Sequence, residues 1–351
     1  SMAAVLARGQ LIDVWSSLNP TTQDFMKKQL LAFLQGYSGT ETGSPFGRKV
    51  ANVIGSLSWL SQEGWPDLLP TITTMCNSES SGTQELGYHV LSLVVHHMHF
   101  HSSLQDKIPQ LQSLFESALA HKDGNVQVSG MKAIGAYVAA CESPKQTRVL
   151  QGLVPPMLKA LGEALQVDEE RARAGLDVLI EMTDVNPRFF KPQLKEITSA
   201  MLQHVAMNLA LEGSTRRLAV EFLVELSERA PGMMKKEEGF LQQIVAVSFA
   251  FMVEGVDANK DMDAWERWDM EDEDDEEGDE AGNYLQGLEA LDRLAVAFGG
   301  NRMVPACFSY IPDFLANQDW RYRLVGLYGI SQTGEGAAKE MRKHLPNIVN
   351  L

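Results

Sequence analysis

The segment Ile311-Pro312-Asp313-Phe314-Leu315 places a proline just inside a predicted helix, with large apolar residues close behind it. Proline in a first helical turn loses no hydrogen bond, so this arrangement is typical of a helix start. The same arrangement recurs at Leu69-Pro70-Thr71-Ile72, Ile108-Pro109-Gln110-Leu111, Pro156-Met157-Leu158, Lys191-Pro192-Gln193-Leu194 and Leu345-Pro346-Asn347-Ile348. These prolines are 34 to 47 residues apart, except for one interval of 120 residues. The pattern predicts a repeat protein.

A second helix follows each proline helix, because apolar residues recur there at three and four positions after a polar residue suited to cap a helix. The predicted second helices span residues 81–97, 123–141, 168–183, 214–229, 283–298 and 319–333, and an earlier pair spans residues 23–35 and 48–60. Strand signals are almost absent. Two helices in about 40 residues is the period of HEAT repeats, so we predict an all-α HEAT-repeat α-solenoid, a superhelical array of about seven antiparallel helix pairs. Curvature of such an array makes one helix of each pair line a concave surface.

The long interval contains an acidic segment, residues 257–280. Its 24 positions hold 14 carboxylates against Lys260 and Arg267, which gives a local charge of −12 within a chain of −16. Unpaired carboxylates are too costly to bury, so the segment is predicted to be solvated and to attract a basic ligand. The predicted organisation is therefore HEAT repeats over 1–256, an inserted acidic loop over 257–282 and further repeats over 283–351.

Two groups of residues are candidates for binding basic partners. In the acidic segment they are Asp261, Asp263, Trp265, Glu266, Trp268, Asp269, Glu271, Asp272, Glu273, Asp274, Asp275, Glu276 and Glu277. On the inner faces of second helices they are Asp177, Glu181, Glu221, Glu225, Glu228, Glu289 and Asp292. The acids on the helices suit either an ordinary solvated surface or a binding row. The two tryptophans either fold back on the array or offer their ring faces to lysine and arginine side chains.

No pattern in the sequence supports catalysis, a cofactor or a metal. His89, His96, His97, His99 and His101 lack a His-Glu-x-x-His pair and nearby cysteine ligands, so we interpret them as part of a polar turn. The alternating acids from Asp257 resemble a calcium loop but have Met262 and Trp268 where glycine and glutamate are required. The stretch Gly43 to Lys49 lacks the spacing of a phosphate-binding loop and is predicted to be a turn and helix cap. The chain is predicted not to be an enzyme.

The cysteines, the lack of a signal peptide and the chain ends indicate the cellular compartment and the extent of the protein. Three scattered cysteines, Cys76, Cys141 and Cys307, indicate reduced core thiols of a cytosolic or nuclear protein. No signal peptide and no apolar run of about 18 residues appears, so no membrane partner is predicted. Ser1-Met2 has the form left by removal of a tag, and the apolar pattern still runs at Leu345 to Leu351, so we expect a fragment of a longer protein.

Several motifs after the acidic segment carry a family resemblance. They are Glu289-Ala290-Leu291-Asp292-Arg293-Leu294-Ala295, Gly299-Gly300, Val304-Pro305, Asp319-Trp320-Arg321-Tyr322-Arg323 and Thr333-Gly334-Glu335-Gly336. With looser agreement from about Thr22 onward, the chain resembles the importin-β (karyopherin-β) nuclear transport receptors, and within them the karyopherin-β3 branch. The first repeats, where Ran usually docks, are missing from the match. Gly326 and Gly329 also stand where relatives prefer alanine, and local mobility is expected there at a cost of up to about 1 kcal/mol each.

The resemblance implies a receptor that binds basic nuclear-localisation segments of cargo, such as ribosomal proteins or histones, and carries them through nuclear pores. It implies Ran GTPase and phenylalanine-glycine nucleoporins as further partners, release of cargo by Ran-GTP, and shuttling between cytoplasm and nucleus. We expect a monomer with no cofactor and no direct contact with nucleic acid. Two other functions are compatible with the sequence: a HEAT scaffold with the acidic loop as a solubiliser, and an acidic chaperone for basic proteins.

Overall fold

The computed structural model of the protein describes residues 11–37, 39, 42–61, 65–98, 108–141, 144–256 and 279–349. All regular structure in these ranges is helical, as predicted. The chain divides into two compact units, residues 1–189 and residues 190–351. The predicted boundaries of the acidic loop fall within the second unit and stay a prediction.

The first unit consists of helices in two layers. They are α1 (Pro20–Gly36), α2 (Pro45–Leu60), α3 (Leu68–Cys76), α4 (Ser81–Met98), α5 (Ile108–Leu119), α6 (Gly124–Ala140), α7 (Pro144–Leu150), α8 (Val154–Val167) and α9 (Glu169–Val185). The second helices of successive repeats pack side by side, α2 on α4, α4 on α6 and α6 on α9. Each also packs on its own first helix, as α3 does on α4 and α5 on α6.

The second unit continues this plan with less regular first helices. A 3₁₀ helix (Pro187–Gln193) leads into α10 (Leu194–Ser199) and a π-helical turn (Ala200–Ala206). The remaining helices are α11 (Gly213–Arg229), α12 (Pro231–Met234), α13 (Phe240–Gly255), α14 (Asp279–Phe298), α15 (Gly300–Phe308), α16 (Ile311–Leu315) and α17 (Trp320–Val349). The second helices α11, α14 and α17 lie side by side, with α13 packed on α14.

The helices after Asp123 and Asp168 begin at the polar residues that the sequence pattern indicated, whereas α11 begins at Gly213 without a side-chain cap from the predicted Ser214. The carboxylate of Asp123 accepts from the amide of Asn125 at 2.9 Å, and that of Asp168 accepts from the amide of Arg171 at 3.1 Å. Both bonds satisfy amides that the helix itself leaves free. In the stretch Gly43 to Lys49, Ser44 caps α2 by accepting from the amide of Gly47 at 3.3 Å, so the predicted turn and cap are present.

Two predicted helix boundaries in the second unit differ in position from the observed ones. We expected α14 to begin at a capping Asn283, but the helix begins at Asp279, and the Asn283 side-chain oxygen accepts from Arg217 at 2.9 Å. We also expected one helix to end near Thr333 and another to begin near Pro346. The structure has two helices that meet at a kink at Ala337 (φ −122°, ψ 20°), and α17 denotes both of them, so the boundary lies after Thr333 and before Pro346.

The two glycines of α17 are packing positions, which differs from the mobility we expected. A β-carbon at Gly329 would lie 2.6 Å from the buried Phe249 ring of α13, and one at Gly326 would lie 3.1 Å from Leu315. The Phe249 ring leaves no room for a methyl group at Gly329, whereas at Gly326 the Leu315 side chain would have to shift by a few tenths of an ångström. Glycine therefore lets the first helices approach α17 closely, and the helical cost of glycine is offset by that contact.

Candidate functional site

A stripe of four residues runs along the exposed side of α14. Leu285, Glu289, Asp292 and Val296 are spaced by four, three and four residues, which places them on one helical face. Leu285 is 39% exposed and Val296 is 69% exposed, so apolar surface lies at both ends of the two carboxylates. We call these four residues the α14 stripe. Its chemistry suits a side chain that carries a cationic head on an aliphatic stem.

Asp292 is the half-buried acid of this stripe. Its Oδ1 atom is buried and has no hydrogen-bond partner among the described residues. Glu289, one turn earlier, forms no hydrogen bond or ion pair within the same part of the chain. A buried, unpaired carboxylate oxygen costs free energy that an ammonium or guanidinium donor would recover. A cation from outside the chain can reach the exposed Glu289 and the second oxygen of Asp292, while the buried Oδ1 adds negative charge beneath them.

The acids of α11 are in a different state, because Arg293 of α14 binds all three. Its Nη1 donates to both oxygens of Glu221 at 2.8 and 2.9 Å, and its Nη2 donates to Glu228 at 2.7 Å and to Glu225 at 3.1 Å. Nε donates to Glu228 at 3.1 Å. Burial lowers the pKa of Arg293, but the bonds to Glu228 and Glu221 outweigh it and the net direction is upward. The structure thus gathers three predicted acids around a cation of the chain itself.

A second polar network joins the helix ends on either side of the acidic segment. Arg216 of α11, only 4% exposed, donates to both oxygens of Glu254 near the end of α13, at 2.7 and 3.0 Å. Arg217 holds Asn283 in the first turns of α14, and Asn283 in turn lies 3.5 Å from Glu254. We call these four residues the arginine clamp. Sequence reasoning missed it, although two adjacent arginines at the start of a predicted helix were a visible signal.

In the first unit, Asp177 and Glu181 of α9 border a groove of about 530 Å³. Glycine and alanine residues line it together with Lys132 and His89. Burial raises the pKa of the Asp177 carboxyl, while Lys132 and Arg173 oppose that shift. Burial, followed by Arg48, lowers the pKa of His89, whose Nε2 atom has no partner among the described residues. Neither acid forms an ion pair with another described residue, so both stay candidates for binding.

The candidates in the acidic segment lie outside the described residues. They are Asp261, Asp263, Trp265, Glu266, Trp268, Asp269, Glu271, Asp272, Glu273, Asp274, Asp275, Glu276 and Glu277. His99 and His101 also fall outside, as does the calcium-like run from Asp257. Their roles stay predictions.

The described part of the chain shows neither a metal site nor a membrane-spanning helix. No group of three or more His, Cys, Asp or Glu side chains there is placed to hold a metal ion. No helix in these ranges combines the length and hydropathy of a membrane span. Cys76 and Cys307 are buried free thiols, as predicted, and Cys141 is a half-buried one.

Comparison with protein families assigns the chain to a class. A family model described as "IPO5-like, TPR repeats" matches residues 46–200, and one described as "Importin repeat" matches residues 208–305. The chain belongs to the importin-β (karyopherin-β) family. TPR and HEAT units are both stacked pairs of antiparallel helices, so the first description agrees with the observed plan.

Particular relatives narrow the comparison. Importin subunit beta-3 of Saccharomyces cerevisiae is 26% identical over 332 residues, which cover 93% of this chain and 29% of the relative. Importin-4 of Mus musculus is 26% identical over 362 residues, covering 98% of this chain and 31% of the relative. A crystal structure of the karyopherin Kap121p has the same fold, with a TM-score of 0.82 at 24% identity over 99% of this chain and 33% of that one. The chain therefore spans about a third of these proteins.

Proposed function

We propose that this chain is part of a nuclear import receptor that binds basic nuclear-localisation segments of cargo and carries them through nuclear pores. The observation that carries the proposal is the α14 stripe, where the exposed Glu289 lies one turn from the half-buried Asp292, whose Oδ1 atom has no hydrogen-bond partner among the described residues. Family membership supports it, since the relatives are importins. Kap121p, whose fold this chain shares, has been crystallised bound to Pho4p, to Ste12p and to Nup53p.

The geometry suggests how a cargo lysine would bind. Its ammonium group would donate to Asp292 and Glu289, and its methylene stem would lie along Leu285 or Val296. Charged contacts of this kind contribute little each when exposed, about 0.2 to 1 kcal/mol, and more when one partner is desolvated. Affinity for a whole segment would therefore come from several contacts, among them Asp177 and Glu181 in the first unit and the acids of the segment 257–280.

Release and transit involve further partners in this proposal. Ran in its GTP form would displace cargo, and phenylalanine-glycine nucleoporins would guide passage, so the protein would shuttle between cytoplasm and nucleus. The acidic segment would draw basic cargo toward the array over distances limited by screening to about 8 Å at cellular salt. A steep dependence of cargo affinity on ionic strength follows.

The test is binding of a fluorescent lysine-rich localisation peptide, measured by anisotropy across a salt series. Four proteins are compared: the unaltered chain, the chain lacking residues 257–280, Asp292→Asn with Glu289→Gln, and a control with Glu170→Gln and Glu196→Gln. The control removes two exposed acids from elsewhere in the chain. We expect a loss of about tenfold for the α14 variant, equal to about 1.4 kcal/mol, and a change below twofold for the control.

Deletion of residues 257–280 is expected to lower both the affinity and its salt dependence. Identical curves for all four proteins, or no binding by any, would instead favour a scaffold whose acidic segment only aids solubility. Binding of every basic peptide regardless of sequence would favour an acidic chaperone.

A further inference from the structure

Arg293 follows Asp292 in the chain, yet its side chain turns away from the α14 stripe toward α11. Every nitrogen of its guanidinium group donates to a carboxylate, with five hydrogen bonds of 2.7 to 3.1 Å. The side chain is only 25% exposed. Three carboxylates spaced along α11 thus form a complete guanidinium-binding site, and the site is filled by a residue of the same protein.

We infer that Arg293 is a built-in occupant that keeps cargo cations off the acids of α11. This inference rests on the proposed function and specifies where basic side chains bind in the second unit. Glu221, Glu225 and Glu228 are satisfied internally, and cargo cations are directed to Glu289 and Asp292. Arg293 is in this sense a specificity-determining residue, because it decides which acids of the face are receptive.

The physical reason is competition between a tethered and a free cation. Arg293 is attached to α14, which packs along α11, so its guanidinium is always present at a high effective concentration. Its Nε and Nη2 atoms also converge on one oxygen of Glu228, a contact by two adjacent N–H groups that a lysine ammonium cannot reproduce. Neighbouring groups add to the hold, since Gln286 donates to Glu221 at 3.2 Å and Arg229 donates to Glu225 at 2.7 Å. A cargo side chain would have to break all of these bonds to enter.

Zero-length cross-linking tests the inference on the unaltered protein. A lysine-rich peptide is bound and treated with a carbodiimide, which activates carboxylates and leaves as a urea when a lysine amine forms the amide. The joined residues are then mapped by mass spectrometry. We expect amides at Glu289 and Asp292 and none at Glu221, Glu225 or Glu228. Amides at these three acids would overturn the inference while leaving the proposed function in place.

A variant without Arg293 tests the inference from the other direction. Arg293→Met opens the acids of α11, so the peptide should bind about tenfold more tightly, with a steeper salt dependence and new amides at Glu221 and Glu228. The matched control is Arg342→Met, which removes one positive charge from an exposed position of α17 that has no ion pair with a described residue, and it should change affinity less than twofold.

Unchanged or weaker binding by Arg293→Met, with an unchanged circular dichroism spectrum, would refute the inference. If that variant fails to fold, Arg293→Lys keeps the charge without the fork and should show intermediate affinity, while affinity equal to the unaltered chain would count against it. Absence of peptide binding by both the unaltered chain and Arg293→Met would remove the proposed function together with the inference, a pattern distinct from the others.

Discussion

Arg216 and Glu254 form a two-pronged ion pair between α11 and α13, with bonds of 2.7 and 3.0 Å. The arginine side chain is 5% exposed and the glutamate side chain 30% exposed. Arg216 also donates through Nε to the carbonyl of Ala206 at 2.8 Å and lies 4.7 Å from the centre of the Phe251 ring. The pair therefore fixes the end of α13 from which the acidic segment departs.

Removal of Glu254 and removal of Arg216 are expected to lower the free energy of unfolding by different amounts. Glu254→Ala leaves a buried guanidinium without its counter-ion, and we expect a loss of about 3 kcal/mol in the free energy of unfolding. Arg216→Met leaves a carboxylate that water still reaches, so its loss should be smaller, about 1 to 2 kcal/mol. Urea denaturation followed by circular dichroism measures both. Lys159→Gln, in the exposed pair with Glu163, serves as control and should change stability by less than about 0.5 kcal/mol.

Substitution of two glycines of α17 by alanine is expected to change the stability of the protein in opposite directions. Gly329→Ala places a methyl group 2.6 Å from the Phe249 ring and should destabilise the protein by about 1 to 3 kcal/mol. Gly334→Ala meets open space in the same helix and should stabilise it by up to about 1 kcal/mol. Thermal unfolding of the two variants measures both changes in stability. Equal changes would show that Gly329 has no packing role.

The cap of α6 offers a local test. Asp123→Ala removes the acceptor for the amide of Asn125 and should cost about 1 kcal/mol, whereas Asp123→Asn keeps an acceptor oxygen and should cost little. Hydrogen exchange of the first amides of α6 reports the change directly. Equal protection in both variants would argue against a capping role.

The thiols should react slowly at neutral pH and faster as the pH rises. Burial raises the pKa of Cys141 and of Cys307 to about 11 each, so the reactive thiolate is scarce near pH 8. Between pH 7 and 9.5 the labelling rate of Cys141 by a disulfide reagent should increase nearly tenfold per pH unit. Cys141, being half-buried, should react before the buried Cys76 and Cys307. A flat pH profile for Cys141 would contradict the raised pKa.

The sequence predicted the fold well because its signals were local and repeated. Capping acids such as Asp123 and Asp168 and the recurring prolines gave the helices, and their period indicated the HEAT array. The candidate site was harder to predict from the sequence. Glu289 and Asp292 could be named as exposed acids, but only three-dimensional packing separates Asp292, which is unpaired, from Glu221, which Arg293 neutralises 72 positions away. A pattern on one helix carries no information about the cation that a neighbouring helix supplies.

The roles of Gly329 and Asn283 were missed for the same reason. A glycine within a helix pattern is expected to destabilise the helix as long as its neighbours are unknown. At Gly329 the neighbour is the buried ring of Phe249, which requires a glycine. Asn283 has the chemistry of a cap, and only the position of Arg217 shows that it serves another purpose.

The arginine clamp separates two tasks that a chain would otherwise combine. Because Arg216 and Arg217 tie the last turn of α13 to the first turns of α14, the register of these helices depends on α11 rather than on the residues between them. The segment 257–278 can therefore change in length while the packing of α11, α13 and α14 is kept. The two ends of that segment are attached to helix ends whose positions are held by α11.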